Sequence, residues 1–338
     1  MILVIIFFFN KADNFIFCQE LPPDKSYGLS IGASFGSIFG NSLELVYPVY
    51  TKGEYLSELI WEMNPVFYFD LNIDFKRNDL MSAPGFFSSV SFKIGIPGYS
   101  GIHQNRDWMS TENSDLTHFS SHKNMLRDFY SADAVIGLSI PVRSWFYVTP
   151  LISGSWMHFA FSGVDGSGKY ARLKTCNPDC SLASHTSGCT SDDYSSAYYP
   201  IDYFPHLYSF SGEVIRYKQD WFLAAFGFNI GTEILHPFLF EFSFLLSPFT
   251  YCAAVDEHLE RGIVFNDYTA WGFYIEPKGH VSYVSRYLTY SLGFSYKYIG
   301  RTKGSTYVNE GFGFYKSYNE AGAGLSFFDI SFSLKIRI

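Results

Sequence analysis

The stretch that decides the fold is "FDISFSLKIRI", residues 328–338. Successive side chains of a strand point to opposite faces. Phe328, Ile330, Phe332, Leu334, Ile336 and Ile338 therefore share one face, and Asp329, Ser331, Ser333, Lys335 and Arg337 the other. An apolar stripe of this length facing water is an aggregation hazard. Lipid on that face and a polar interior on the other satisfy both sets of side chains. A strand of this kind at the end of the chain is expected to close an outer-membrane barrel.

The same period of two recurs upstream, in Leu29–Phe35, Phe67–Phe75, Val90–Ile96, Ala134–Ile140, Phe222–Ile230, Phe238–Leu246 and Leu288–Tyr298. "FLFEFSFLLSPFTYCAAV", residues 238–255, is apolar enough to suggest a membrane helix, but it alternates strictly and contains Pro248. Amphipathic helical periodicity is not visible. Composition agrees: aromatic residues make up 20% of the 338, with 36 Phe and 26 Tyr. Charged residues are only 17%, against about 25% in soluble domains. Mean hydropathy is +0.03, far too low for a helical membrane bundle. The expectation is an all-β fold, a transmembrane antiparallel β-barrel of about ten long strands. Several runs approach twenty residues, where lipid requires only about 9–11, so the strands should extend beyond the membrane. Short turns are expected near Asn78–Gly85, Pro141–Ser144, Gly231–Pro237 and Pro277–Gly279, and long loops near Asp107–Asn124, Gly163–Tyr208, Leu259–Asn266 and Gly300–Asn319. A soluble β-sandwich or a large lipocalin-like barrel is the alternative.

Residues 1–18 carry an apolar core, Ile2–Phe9, too short to span a bilayer and suited to a signal peptide. Residues 19–338 are then one outer-membrane β-barrel domain with long extracellular loops, the largest about 163–208. Of the five cysteines, Cys176, Cys180 and Cys189 fall in that loop, where an exported protein can form a disulfide. His185 between them leaves a zinc site as the alternative, at a spacing that matches no standard finger. The net charge of −8, with no run of Lys and Arg, argues against nucleic acid as a partner.

Three features suggest more than a pore. In "GIHQNRDWM", residues 101–109, Asn105 and Asp107 are two apart and share a face. Extending the parity of Val90–Ile96 turns them away from lipid, and an amide beside a carboxylate can hold and orient a water. Asp256 and His258 are likewise two apart. A carboxylate beside an imidazole orients it and stabilises its protonated form, the usual arrangement for a general base. Strict parity from Phe238–Leu246 would point both outward, so an inward position requires a one-residue bulge between Leu246 and Asp256, for which Pro248 is a suitable place. The third feature is Glu44, in "FGNSLELVY". Each motif alone is also compatible with a solvated polar loop entrance.

Together these stretches resemble the omptin family of outer-membrane endopeptidases, ten-stranded barrels. "GNSLELVY", "SELIWEM" (57–63), "NRDWM", "IRYKQDWF" (215–222), "DEH" and "AGAGL" (321–325) occur in the family's order, from about Gly28 to Ile338. The resemblance implies that a water activated by an Asp–His dyad and a facing Asp pair attacks the peptide carbonyl. His258 would be the general base, Asp256 its orienter, Asp107 one of the facing pair and Glu44 a substrate-binding acid. No metal or other cofactor is expected, though the family depends on lipopolysaccharide, an outer-membrane glycolipid. Partners would be peptides and proteins at the cell surface and the membrane lipid, with the chain acting as a monomer and its cleft facing outward.

Three departures bear on activity. Asn105 stands where the family has Asp; it can hydrogen-bond a water but cannot ionise. Ala254 replaces an acid two residues before Asp256, and His118 aligns with a second-loop acid. With less negative charge, the family's strict preference for cutting between basic residues is not expected. The alternative function is a catalytically impaired barrel serving as a surface adhesin or binding protein; a passive porin is a further one.

Overall fold

The computed structural model describes residues 27–49, 54–77, 82–112, 114–172, 198–199, 201–203, 205–285, 287–311 and 313–338. The expected signal peptide and the Cys176–Cys180–Cys189 segment with His185 lie outside these residues. Among the described residues there are thirteen strands: β1 (Tyr27–Tyr47), β2 (Ser57–Arg77), β3 (Gly85–Gly95), β4 (Gly98–Asp107), β5 (His118–Arg143), β6 (Phe146–Tyr170), β7 (His206–Leu235), β8 (Phe238–His258), β9 (Ile263–Ala270), β10 (Tyr274–Val284), β11 (Leu288–Ile299), β12 (Lys303–Glu310) and β13 (Gly313–Arg337). Three pairs run end to end, β3 with β4, β9 with β10 and β11 with β12, which makes ten antiparallel staves. β1 pairs with β13 from Ser30↔Arg337 to Tyr47↔Glu320 and closes the ring, so the barrel has no free edge.

The outer face carries an apolar belt near the end that holds Tyr27 and Ile338. On β1 its exposed apolar residues run from Leu29 to Phe39, on β2 from Phe67 to Phe75, and on β13 from Phe328 to Ile336. β5, β6 and β7, of 26, 25 and 30 residues, rise well past it, as expected from the sequence. Chain reversals at the belt end are short, at 144–145 and 236–237. Several breaks expected from sequence fall elsewhere. Pro277–Gly279 lies inside β10, and the reversal comes after Val284. Leu259–Gly262 is a tight turn, and Gly300–Asn319 is mostly β12 and β13. β6 reaches Tyr170 and β7 opens at His206, so strand also occupies both ends of the stretch read as the largest loop.

Inside, the barrel has two storeys. At belt level the inward stripe of β13 meets its counter-charges: Lys93 Nζ lies 2.5 Å from Asp329 Oδ2, and Lys335 Nζ 2.5 Å from Asp74 Oδ2. Lys278 and Lys297 both pair with Glu276. These groups line a cavity of about 490 Å³. Above it is an aromatic layer of Trp61, Phe129, Phe159, Phe161, Tyr217 and Trp221, all fully buried. Phe129 stacks on Phe159 at 4.7 Å, and Trp61 on Tyr217 at 5.4 Å. Such pairs add roughly 0.5–1.5 kcal/mol each beyond area burial. The upper storey stands on this layer.

Two irregularities decide what points into the upper storey. In the β7–β8 pairing, Phe226↔Leu246 is followed by Ala224↔Phe249, so β8 carries one extra residue at Ser247–Pro248. Ser247 Oγ fills the gap, donating to Ala224 O at 2.5 Å and accepting from Phe249 N at 2.7 Å. Below the bulge the outward residues are Phe240 and Phe242; above it they are Phe249 and Tyr251. Asp256 therefore points inward, by the bulge at Pro248 that the sequence required. On β3 and β4 two shifts cancel. The outward residues pass from Ile96 to Tyr99 across Pro97, then from Tyr99 to Ile102 across Gly101. Gly101 has φ +121°, a conformation that a Cβ would strain, and that Cβ would sit 2.8 Å from the Glu62 side chain. Parity is restored, and Asn105 and Asp107 turn inward.

Candidate active site

Asp107 ends β4 beside Ser57, which opens β2. The backbone pins this end: Trp108 N donates to Leu56 O at 2.9 Å, and Thr117 N and Oγ1 donate to Asp107 O at 2.8 and 2.9 Å. Ser57 Oγ donates to Asp107 Oδ1 at 2.6 Å and lies 3.2 Å from Asn105 Oδ1. The Asn105 amide nitrogen faces Asp107 Oδ2 at 3.5 Å. Asn105 thus acts as a neutral donor toward the one charge of this half.

The other half lies on β8. Asp256 is 2% exposed, and its Oδ2 lies 2.6 Å from His258 Nε2. The His258 ring meets the edge of Phe265 at 5.5 Å. Arg261, in the turn after β8, brings Nη2 to 2.5 Å from His258 Nδ1.

Glu44 on β1 links the halves. It is 2% exposed, and burial, then the charges of Asp256 and Asp267, hold its carboxyl well above the usual carboxylate range. Asp107 adds to the same push. One buried carboxyl thus feels both Asp107 and Asp256, so the two motifs face the same space. Tyr170, at the top of β6, likewise feels both Asp107 and Arg261. A side-chain hydrogen bond between the Glu44 and Asp256 carboxyls adds to the push on Glu44, so the two buried acids face each other across a shared proton.

Asp267 was not anticipated. It lies on β9 directly across from Ala254, the position where an acid is missing. Its carboxyl is 4% exposed and accepts from Thr306 Oγ1 at 2.8 Å. Burial pushes it up to about 7, with Asp256 adding and the Thr306 hydroxyl opposing. A buried acid thus faces Ala254 from the neighbouring strand. The only sequence signal was an acid in the short run "FNDYTA" (265–270); its partner strand cannot be read from one chain segment. Ser57 and Arg261 were missed for the same reason. His118 pairs with Asp107 across β4 and β5, with its ring between Tyr170 at 4.9 Å and Tyr198 at 5.4 Å. His103, two residues before Asn105, stacks on Trp61 at 3.8 Å, and burial, with His122 and His258 adding, keeps it neutral. Among the described residues, no group of three or more His, Cys, Asp or Glu is arranged to hold a metal ion.

The sequence profile of the omptin family matches residues 25–184 and 192–337. The chain belongs to the omptin family. No curated protein matches the sequence. Among solved structures, this omptin is similar to the outer membrane protease OmpT from Escherichia coli, at 17% identity and a TM-score of 0.70, over 95% of this chain and 99% of that one. The toluene transporter TodX of P. putida also matches, at 8% identity over 94% of this chain and 91% of that one, with a TM-score of 0.30. The transport unit of the Escherichia coli autotransporter AIDA-I gives 10%, 96%, 94% and 0.31. The omptin is accordingly an outer-membrane barrel of ten staves, with its candidate site in the storey farthest from Tyr27 and Ile338.

Proposed function

We propose that this omptin is an endopeptidase of the cell surface, with its cleft facing outward, that hydrolyses peptide bonds with an activated water. The observation that carries the reading is the inward Asp256–His258 contact of 2.6 Å in the same storey as Asp107, with Glu44 sensing both sides. His258 is the general base and Asp256 holds its ring. Asp107 and Asn105 hold the water, Asp107 as acceptor and Asn105 through its carbonyl oxygen. His258 takes a proton as the water oxygen attacks the peptide carbonyl, then returns it to the leaving amine. A positioned base contributes about 10²–10⁴-fold. Asn105 leaves one negative charge where the family has two, which weakens support for the imidazolium that forms and lowers the rate. Glu44 and Asp267 form an acidic floor for a basic side chain of the substrate.

The glycolipid requirement belongs to the same proposal. Arg127, Arg216 and Lys218 line a shallow groove above the belt together with Asp128, and both arginines also pair with Glu213; the proposal assigns the lipid phosphate to this groove. A second reading, an adhesin or binding protein with impaired catalysis, is favoured by the rim, where Leu207, Phe314 and Tyr318 are 78%, 63% and 84% exposed. The test is to refold the barrel with lipopolysaccharide and present a fluorogenic peptide library to wild type, His258→Ala and Asp107→Ala. Proteolysis predicts cleavage by wild type that both changes abolish. Cleavage that persists in both rejects the site. Silence in wild type and in Asn105→Asp alike favours the binding protein.

A further inference from the structure

β4, with Asp107, and β8, with His258, divide the mouth of the barrel into two unlike arcs. One arc runs through β9, β12, β13, β1 and β2 and carries Asp267 and Glu44. The other is β5, β6 and β7. Strand register carries the candidate site straight into this second arc. Ser57, Asp107, His118, Tyr170 and His206 lie in one row across five strands, and Leu59, Asn105, Ser120, Gly168 and Tyr208 lie in the next. Residues paired across strands share a face, so both rows point inward with Asn105 and Asp107.

The second arc is aromatic. The ring of Tyr198 meets His118 at 5.4 Å, His118 meets Tyr170 at 4.9 Å, and Tyr170 meets Tyr208 at 4.8 Å. Phe210 follows, 6.3 Å from Tyr208 and 5.0 Å from His122. Gly168 permits this packing, since a Cβ there would lie 3.1 Å from the Phe210 ring and 3.2 Å from the Tyr170 ring. Tyr170, Tyr208 and Phe210 are half-buried, so each keeps ring surface open to the cleft. Burial, with Asp107 adding and Arg261 opposing, pushes the Tyr170 hydroxyl up to about 12, so it stays neutral. The acids of these strands are engaged elsewhere: Asp165 pairs with Lys123, and Glu213 with Arg127 and Arg216. Burial, then the positive charge of Arg172, lower the His206 imidazole. A basic side chain entering this arc therefore meets rings and a guanidinium. An aromatic one meets rings that it can stack on or meet edge to face.

We propose that this arc is a subsite for an aromatic side chain of the substrate, so that the bond cut joins a basic residue, held by Glu44 and Asp267, to an aromatic residue, held by Tyr170, Tyr208 and Phe210. The cut itself rests on the peptidase reading, but the subsite is measurable by binding alone. The experiment uses peptides that differ only in their central pair: Arg–Phe, Phe–Arg, Arg–Arg, Phe–Phe, Arg–Ala and Ala–Arg. Cleavage by refolded wild type, Tyr208→Ala and Phe210→Ala is followed by fluorescence and located by mass spectrometry. Binding of the same peptides, uncut, to His258→Ala is read by fluorescence anisotropy. Heat-modifiable gel mobility checks that each variant is folded.

The expected result is that one of the two mixed orders, Arg–Phe or Phe–Arg, is cut at least about tenfold better in kcat/KM than Arg–Arg and Phe–Phe, and binds more tightly to His258→Ala. Exchanging its Phe for Ala should cost wild type at least about five-fold, and Tyr208→Ala and Phe210→Ala much less. Arg–Arg handled as well as both mixed peptides overturns the subsite. An equal cost of that exchange in wild type and in both folded variants also overturns it, because the rings then do not touch the substrate. A ring preference in binding with no cleavage by wild type upholds the subsite and removes the peptidase reading. Cleavage by wild type with no ring preference does the reverse.

Discussion

The two storeys of the barrel use charge in opposite ways. At belt level Lys93 meets Asp329, Lys335 meets Asp74, and Lys278 and Lys297 share Glu276. These pairs fill a lumen surrounded by lipid, where an unpaired charge is costly. In the upper storey Glu44, Asp107, Asp256 and Asp267 act on one another, and Glu44 and Asp256 are hydrogen-bonded carboxyl to carboxyl. A nearby cation, Arg261, lies against His258. Paired charge serves the fold; acids left facing one another serve a ligand.

The comparison breaks most visibly at His258. His258→Ala should lower peptide cleavage by about 10³-fold or more while leaving heat-modifiable gel mobility unchanged. Lys93→Met should do the opposite. It strands Asp329 and costs about 3 kcal/mol of barrel stability, read as a lower thermal midpoint, with cleavage by the folded protein unaffected. Loss of activity without loss of stability in Lys93→Met would erase the distinction between storeys.

Asp267→Asn sharpens the comparison. Asp267 is held up to about 7 in the fold, far above an exposed aspartate, so its ionisation opposes folding. Its contribution favours the fold at pH below about 4 and is lost as pH rises through about 7. Asp267→Asn should therefore be more stable than wild type above pH 7 and lose that advantage at pH 4, measured by thermal melts across the range. The same variant should prefer Lys and Arg substrates about tenfold less, since one close charge is worth roughly 1–4 kcal/mol near a surface. Ser57→Ala, which removes the 2.6 Å hydrogen bond to Asp107, should have the smallest effect, a few-fold drop in kcat, read by steady-state kinetics at saturating peptide.

What was legible in the sequence follows the same division. Inside the belt every outward position must be apolar, so stretches such as Phe67–Phe75 and Phe328–Ile338 announce themselves. Even the bulge at Ser247–Pro248 had its place marked, because Asp256 and His258 can face the lumen only if β8 gains one residue. Above the belt the outer face meets water and the alternation fades. The strands of 303–319 therefore read as a loop. Asn105 and Asp107 were aimed correctly only because the shifts at Pro97 and Gly101 cancel, which parity alone does not reveal. Asp267 opposite Ala254 and Arg261 on His258 are contacts between strands and turns, and residue spacing along one strand carries no record of them.

The central claim is that Asp107 and His258, about 150 residues apart in sequence, serve one water. The most direct test is a double-mutant cycle on kcat/KM for one cleaved peptide, with Asp107→Ala, His258→Ala and the double variant. The account predicts that the double variant is no slower than the slower single one, because removing either group disables the same step. Losses that multiply, or cleavage that survives in His258→Ala, would contradict it.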